Sequence, residues 1–177
     1  MDRFRFETVD AIRHLAGAGY YTQALVLLYS AIDALAWAAL PTGDSTGADF
    51  RNWVREYMDP DTQIGCSPED LYAARCGLLH SSTAESRISR TGQASELWYV
   101  TSARSAARLD DHQKRVGTTA KVVYFTAFVA AFADAVMRFS GDSARDPQRS
   151  ASANARVQNW LRLTPIDRLN PDSRVAE

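Results

Sequence analysis

Two apolar stretches, residues 24–40 and 122–139, govern what this chain can fold into. Each is about as long as the shortest membrane-spanning helix. Each also carries an acid in its middle, Asp33 or Asp134, and a charge at the centre of a bilayer is costly. Both therefore read as buried helices, with no membrane segment expected. Helices that are apolar round most of their circumference must be covered by other helices. The expected fold is thus mainly all-α. The 177 residues are enough for one domain whose core needs no staples.

The remaining pattern supplies the covering helices. Phe6, Val9, Ile12 and Leu15 recur at helical spacing over residues 5–16, and Gly17 and Gly19 follow. The first apolar helix should run over residues 21–40, stopped by Pro41 and Gly43. Asp49 is a candidate cap for a helix over residues 50–58, with Trp53 and Tyr57 on one side. The clearest start signal is Ser67-Pro68-Glu69-Asp70: an N-cap, a first-position proline and two acids at the positive end of the dipole. That helix should reach about His80. Residues 96–100 (ELWYV) have the content of a short strand, read here as half of a β-hairpin with residues 86–91. Residues 101–116 are polar and Arg-rich and give no assignment. A last long helix is expected over residues 119–139, closed by Gly141. A bundle of about four to five helices results, over residues 1–141. Residues 142–177, rich in Ser, Arg, Asp and Pro, read as a partly disordered appendage with a short helix near residues 153–163.

Charge and cysteine content narrow the function classes. The formal net charge is −1, which excludes a protein that coats nucleic acid by bulk charge but leaves room for a local basic site. Lys114 and Lys121 are the only lysines; every other basic residue is arginine, the side chain suited to bidentate phosphate contacts. A GC-rich genome is the plainer source of that bias. Cys66 and Cys76 form no paired-cysteine motif, and His14, His80 and His112 show no zinc spacing. Neither a metal nor another cofactor is expected. The charged N-terminus does not read as a signal peptide. A reducing, cytoplasmic setting is the expectation.

No phosphate loop, zinc-protease motif or nucleophile elbow is present, so candidate chemistry must sit on helices. Arg75 and His80 lie inside the well-capped helix, in DLYAARCGLLHSS. Arginine can hold a phosphate and offset charge developing on it. Histidine can move protons near neutral pH. Together they suffice for metal-free RNA cleavage by the neighbouring 2′-hydroxyl, which DNA lacks. Five positions put the two side chains roughly 140° apart on an ideal helix. A wrapped Arg side chain, a helix end or kink near His80, or a second copy across a two-fold axis would bring them together. The plainer reading is an Arg on a solvated face and a His satisfied at a helix end. Asp33, in LLYSAIDALAWAAL, is an acid within an apolar helix and needs a partner. It either orients Arg75 or His80 or serves an unrelated ion pair. Cys76 flanks the imidazole, and Ser81, Ser82 and Thr83 follow it. Cys76, Ser81 and Ser82 are the candidate RNA contacts, with helix capping the plainer role for the serines. His14 and His112 have no supporting neighbours in sequence and read as surface residues. Trp37, Trp53, Tyr57, Phe125, Phe128 and Phe132 read as core. Trp98 and Tyr99 are suited to base stacking, but packing on the core explains them more simply.

Taken together, residues 5–140 resemble the HEPN (higher eukaryotes and prokaryotes nucleotide-binding) superfamily. Arg75 and His80 match its Arg-x(4–6)-His motif, and Asp33 matches the acid on an earlier long helix. The resemblance implies a small helical bundle with a hairpin inserted after the motif. It implies a metal-independent endoribonuclease acting as a homodimer, in toxin–antitoxin, antiviral or RNA-processing systems. His80 would be the acid/base, Arg75 would hold the phosphate, and the product end would be a 2′,3′-cyclic phosphate. A cognate antitoxin protein is an implied partner of the toxin members. The residue after the motif Arg is commonly Asn or another polar residue; here it is Cys76, a weak hydrogen-bonding group. The alternative expectation is a non-catalytic helical module that binds RNA, a nucleotide or a protein.

Overall fold

The computed structural model describes residues 2–81, 86–117 and 120–158. In chain order its elements are α1 (Asp2–Gly17), α2 (Tyr21–Ala38), α3 (Gly47–Tyr57), α4 (Pro60–Ile64), α5 (Pro68–Ser81), α6 (Arg87–Arg90), β1 (Leu97–Val100), α7 (Ala103–Val116), β2 (Lys121–Tyr124), α8 (Phe125–Arg145) and α9 (Pro147–Gln158). The fold is mainly helical, as expected, but the described residues hold nine helical segments rather than four to five. None is long and apolar enough to cross a membrane.

Helix α2 is the centre of the bundle. Its Ala- and Leu-rich sequence has no internal Gly or Pro, so the helix runs unbroken. Leu28, Tyr29, Ile32 and Leu35 are fully buried, and α1, α3, α5, α8 and α9 all pack on it. Most of the aromatics expected in the core are there. Trp53 and Tyr57 on α3 meet Phe139 on α8 at 6.1 and 5.3 Å between ring centroids. Tyr29 meets Phe128 at 5.5 Å. Such edge-to-face pairs add about 0.5–1.5 kcal/mol each beyond their buried area. Trp37 is only half-buried.

Helix α3 starts earlier than its sequence suggested. The cap is Thr46, and Asp49 is its reciprocal partner: the Asp49 carboxylate accepts the Thr46 N–H at 2.8 Å while the Asp49 N–H donates back to the Thr46 hydroxyl. Helix α5 begins as expected. Ser67 and Asp70 cap each other at 2.8 and 3.1 Å. Asp70 does more than complement the helix dipole. Its carboxylate also accepts the Ser95 N–H at 2.6 Å, just ahead of β1, and the Lys121 ammonium at 2.8 Å, at the start of β2. One carboxylate, 3% exposed, thus ties α5 to both strands.

The strands correct the expected hairpin. Residues 87–90 form α6, opened by a Ser86–Ser89 capping box. The partner of β1 is β2, in parallel register from Leu97↔Lys121 to Val100↔Tyr124. Parallel strands cannot be joined by a tight turn, and the Arg-rich residues 101–116 provide the crossover as α7. The helix expected from residue 119 therefore begins only at Phe125, because Val122 and Val123 are spent on the sheet.

The boundary expected after Gly141 falls inside α8, which continues to Arg145. Beyond it, α9 packs on α2 and α8. Ala153 is fully buried. Arg149 donates to the Tyr57 hydroxyl at 2.9 Å. Arg156 lies 4.5 Å over the Trp37 ring and donates to the Trp37 and Gly43 carbonyls at 3.1 Å. Residues 142–158 therefore belong to the bundle; the rest of the expected appendage lies outside the described residues.

Burial pushes the Asp70 carboxyl up, but the Lys121 ammonium and the Ser67 and Ser95 N–H groups bring it below its ordinary 3.8. A carboxyl lowered by folding stabilises above its ordinary value and loses that contribution as pH falls through the lowered one. Asp70→Asn should cost about 1–3 kcal/mol near neutral pH, as for a buried hydrogen-bonding group left short of partners. Urea unfolding should show the gap between variant and parent closing below about pH 4.

Candidate functional site

Helix α5 carries Arg75 against α2, on the face where Asp33 lies. The Arg75 Nε donates to Asp33 Oδ2 at 2.7 Å, with the two side chains 22% and 28% exposed. The acid of the apolar helix thus has its partner, and it is the motif arginine. The same guanidinium then reaches His80: Arg75 NH1 lies 3.0 Å from His80 Nε2. Two of the three routes that would unite these side chains are present within a single chain: the Arg75 side chain reaches His80, and α5 ends at Ser81, one residue beyond it. The helix need not bend.

The contact fixes more than position. A guanidinium can only donate, so His80 Nε2 accepts from Arg75. The neutral ring then carries its proton on Nδ1. His80 itself is exposed, in the last turn of α5. A fixed acid, a shared cation and an accessible imidazole form one continuous hydrogen-bonded row from α2 to the end of α5.

Burial lifts the Asp33 carboxyl above its ordinary value, and the Arg75 hydrogen bond and charge only partly reverse this. Burial works against the Arg75 cation too, but the Asp33 hydrogen bond and charge more than compensate, and its pKa rises. The bond favours the charged form of both partners; the net shifts differ because burial outweighs it at Asp33 and not at Arg75. The 2.7 Å Nε contact is the geometry of a charge-assisted hydrogen bond.

Two side chains beside this row were not singled out from sequence. Tyr72, one turn before Cys76, packs so closely over Gly47 that a Cβ there would fall 2.3 Å from the phenol oxygen. Burial, then the neighbouring Cys76 thiol, push the Tyr72 phenol up. The Arg51 guanidinium covers the Tyr72 ring at 4.9 Å. Cys76 is half-buried among these groups, next to a second guanidinium. The signal available in the sequence was the four-residue interval from Tyr72 to Cys76, one turn of α5; the approach of Arg51 is a long-range contact with no local mark.

The other candidates divide. Ser81 ends α5, and its side chain lies outside the described residues, as does all of Ser82. His14 is exposed. His112 is not a free surface residue: it is half-buried, 5.9 Å from the Trp98 ring, and its Nδ1 lies 2.9 Å from Arg115. Tyr99 is a packing residue, stacked on Phe128 at 6.0 Å with its hydroxyl against that of Tyr29. Both cysteines are free thiols, and burial pushes that of Cys66 up to about 12. Among the described residues no three His, Cys, Asp or Glu side chains group as a metal site.

No protein-family model, curated protein or solved structure matches the chain.

The Arg75–Asp33 bond has a direct readout. A charge-assisted hydrogen bond should hold the Arg75 Nε–H against solvent exchange. Asp33→Ala should speed that exchange by on the order of 10-fold in NMR. An unchanged rate would mean that the contact is not formed in solution.

Proposed function

We propose that the chain is a HEPN-like, metal-independent endoribonuclease acting as a cytoplasmic homodimer. The observation that carries this reading is the hydrogen-bonded row Asp33–Arg75–His80, at 2.7 and 3.0 Å. A purely structural helical protein would have no need to bring these three together beside solvent.

The row suggests a division of work. Asp33 is the positioning residue: it holds Arg75 through Nε and leaves the terminal nitrogens for a phosphate. A phosphodiester beside NH1 would neutralise part of the guanidinium charge and be held for in-line attack. The phosphate takes over the NH1 hydrogen bond that His80 Nε2 accepts in its absence, and the freed Nε2 takes the proton of the 2′-hydroxyl as the O2′–P bond forms. The P–O5′ bond breaks, and the 5′-oxygen leaves with a proton from an imidazolium. The products are a 2′,3′-cyclic phosphate and a 5′-hydroxyl. One imidazole can serve both steps in turn; a second copy of the chain would bring a second imidazole and let them act together. Guanidinium and imidazole cover charge stabilisation and proton transfer, so the scheme needs no metal ion. A role as the toxin of a toxin–antitoxin pair, with an antitoxin protein as partner, belongs to the same proposal.

The second reading is a non-catalytic module that binds RNA, a nucleotide or a protein. The observation favouring it is Cys76, whose thiol sits by Tyr72 where a stronger hydrogen-bonding group would be expected to assist the site.

His80→Ala should reduce cleavage of a single-stranded RNA by on the order of 10²–10⁴, with an unchanged far-UV spectrum and melting curve. Arg75→Lys should not rescue Arg75→Ala, because one ammonium cannot make the Nε and NH1 contacts at once. EDTA should leave the rate unchanged, and DNA of the same sequence should stay intact. Cleavage that persists in the His80 and Arg75 variants, or that requires a divalent ion, rejects the assignment. RNA binding without cleavage at every pH from about 5 to 8 favours the module.

A further inference from the structure

A second feature of the fold is set apart from the row just described. A groove of about 600 Å³ opens beneath α7. Its walls include Tyr21 and Thr22 at the start of α2, Trp98 on β1, and Ser105, Leu109 and His112 on α7. The crossover helix buries none of its residues, so the space under it is incompletely filled.

The groove has an ordered aromatic wall. The Trp98 indole N–H donates to Glu96 at 2.7 Å, and its ring is backed by His112 at 5.9 Å. His112 is held in turn by Arg115, 2.9 Å from Nδ1. Because Arg115 can only donate, Nδ1 accepts, and the neutral ring carries its proton on Nε2. Tyr21, 41% exposed, stands between this groove and a second cavity of about 420 Å³ that Arg13 also lines. It therefore offers surface to both spaces.

The charge beside the groove is equally specific. On α7, Arg104, Arg108 and Arg115 fall within roughly 40° of one another round the helix axis, flanking the stripe of Ser105, Leu109 and His112. All three are exposed. Arg104 and Arg108 have no ion-pair partner among the described residues, and Asp111 is the one acid on that flank. Lys114 and Asp110 pair at 2.5 Å on the side of α7 away from that stripe.

Flat aromatic surface, hydrogen-bonding groups and an arginine row beside them match one kind of occupant. We infer that the groove takes an unpaired base of single-stranded RNA against Trp98, with Arg104 and Arg108 on the adjoining phosphates. Ser105 is already bonded to Ser102 and His112 Nδ1 to Arg115, but an apolar protein helix would still leave the Thr22 hydroxyl and the His112 Nε2–H without partners and would not use the arginine row. The inference rests on RNA as the ligand, as proposed above, and is independent of cleavage.

The test uses full-length protein bearing His80→Ala, so that the probe survives, and a fluorescein-labelled 12-nucleotide oligoadenylate read by anisotropy. Leu109→Trp fills the groove and should weaken binding by on the order of 10-fold. Arg104→Gln with Arg108→Gln should weaken it too, and should reduce the slope of log K against log salt by about 1.4. These arginines are exposed, so the double variant should fold as the parent does; identical melting curves verify this. Binding that neither change alters, or no binding of the probe, overturns the inference. The two proposals fail separately. If protein with His80 intact never cuts RNA while the groove variants weaken binding, the nuclease reading falls and the groove stands. If it cuts RNA and the variants bind like the parent, the groove falls and the nuclease stands.

Discussion

A carboxylate on a helix that five other helices touch leaves the fold little freedom. Asp33 belongs to α2, and α2 is covered by α1, α3, α5, α8 and α9. An acid in that setting needs a cation close by, and α5 supplies it from the middle of its length. The guanidinium is fixed first by the needs of packing. Its remaining nitrogens are then available at the surface, where His80 meets one of them. The candidate chemistry is thus an outgrowth of how the bundle neutralises its central helix, and the same bond that orients Arg75 contributes to holding α2 and α5 together.

Helix α5 is fixed at a second point. Asp70 anchors its first turn to the residues ahead of β1 and to Lys121 on β2. Two contacts about one and a half turns apart determine both where the helix sits and how it is rotated. His80 lies a further turn and a half along, and its placement follows from those two anchors together with its own bond to Arg75 NH1. That arrangement suits a proton-transfer group, which needs a fixed position and open access.

Much of this was legible in the sequence. The apolar run of α2, the cap of α5, most of the core aromatics and the trio Asp33, Arg75 and His80 all have local signatures: periodicity, capping residues, or a charge where none is comfortable. What escaped was long-range. Leu97 and Lys121 are paired across an entire helix, and short β-branched runs do not reveal their partners. Val122 and Val123 read equally well as the start of a helix, because nothing breaks the chain before Phe125. Gly141 looked like a terminus but lies within α8, where nothing approaches within 4 Å of a Cβ placed there. The polar composition of α9 hid its attachment, which runs through Ala153 and two arginines rather than an apolar stripe. In the site, residue identities were readable, but the path of one Arg side chain round its helix was not. Arg51 and Tyr72 join the neighbourhood through contacts that no spacing rule announces.

The parallel pairing of β1 and β2 has an evolutionary side. Such strands impose a long connection but say little about what it contains. Here the connection is a helix with no buried residue, so its sequence answers weakly to the interior. Natural variation can rewrite its outer positions, or lengthen it, at small cost to stability, while the strand register and the ends of the crossover stay put. The fold in this way separates a packed scaffold from a surface element that the interior constrains only weakly, within a single short chain.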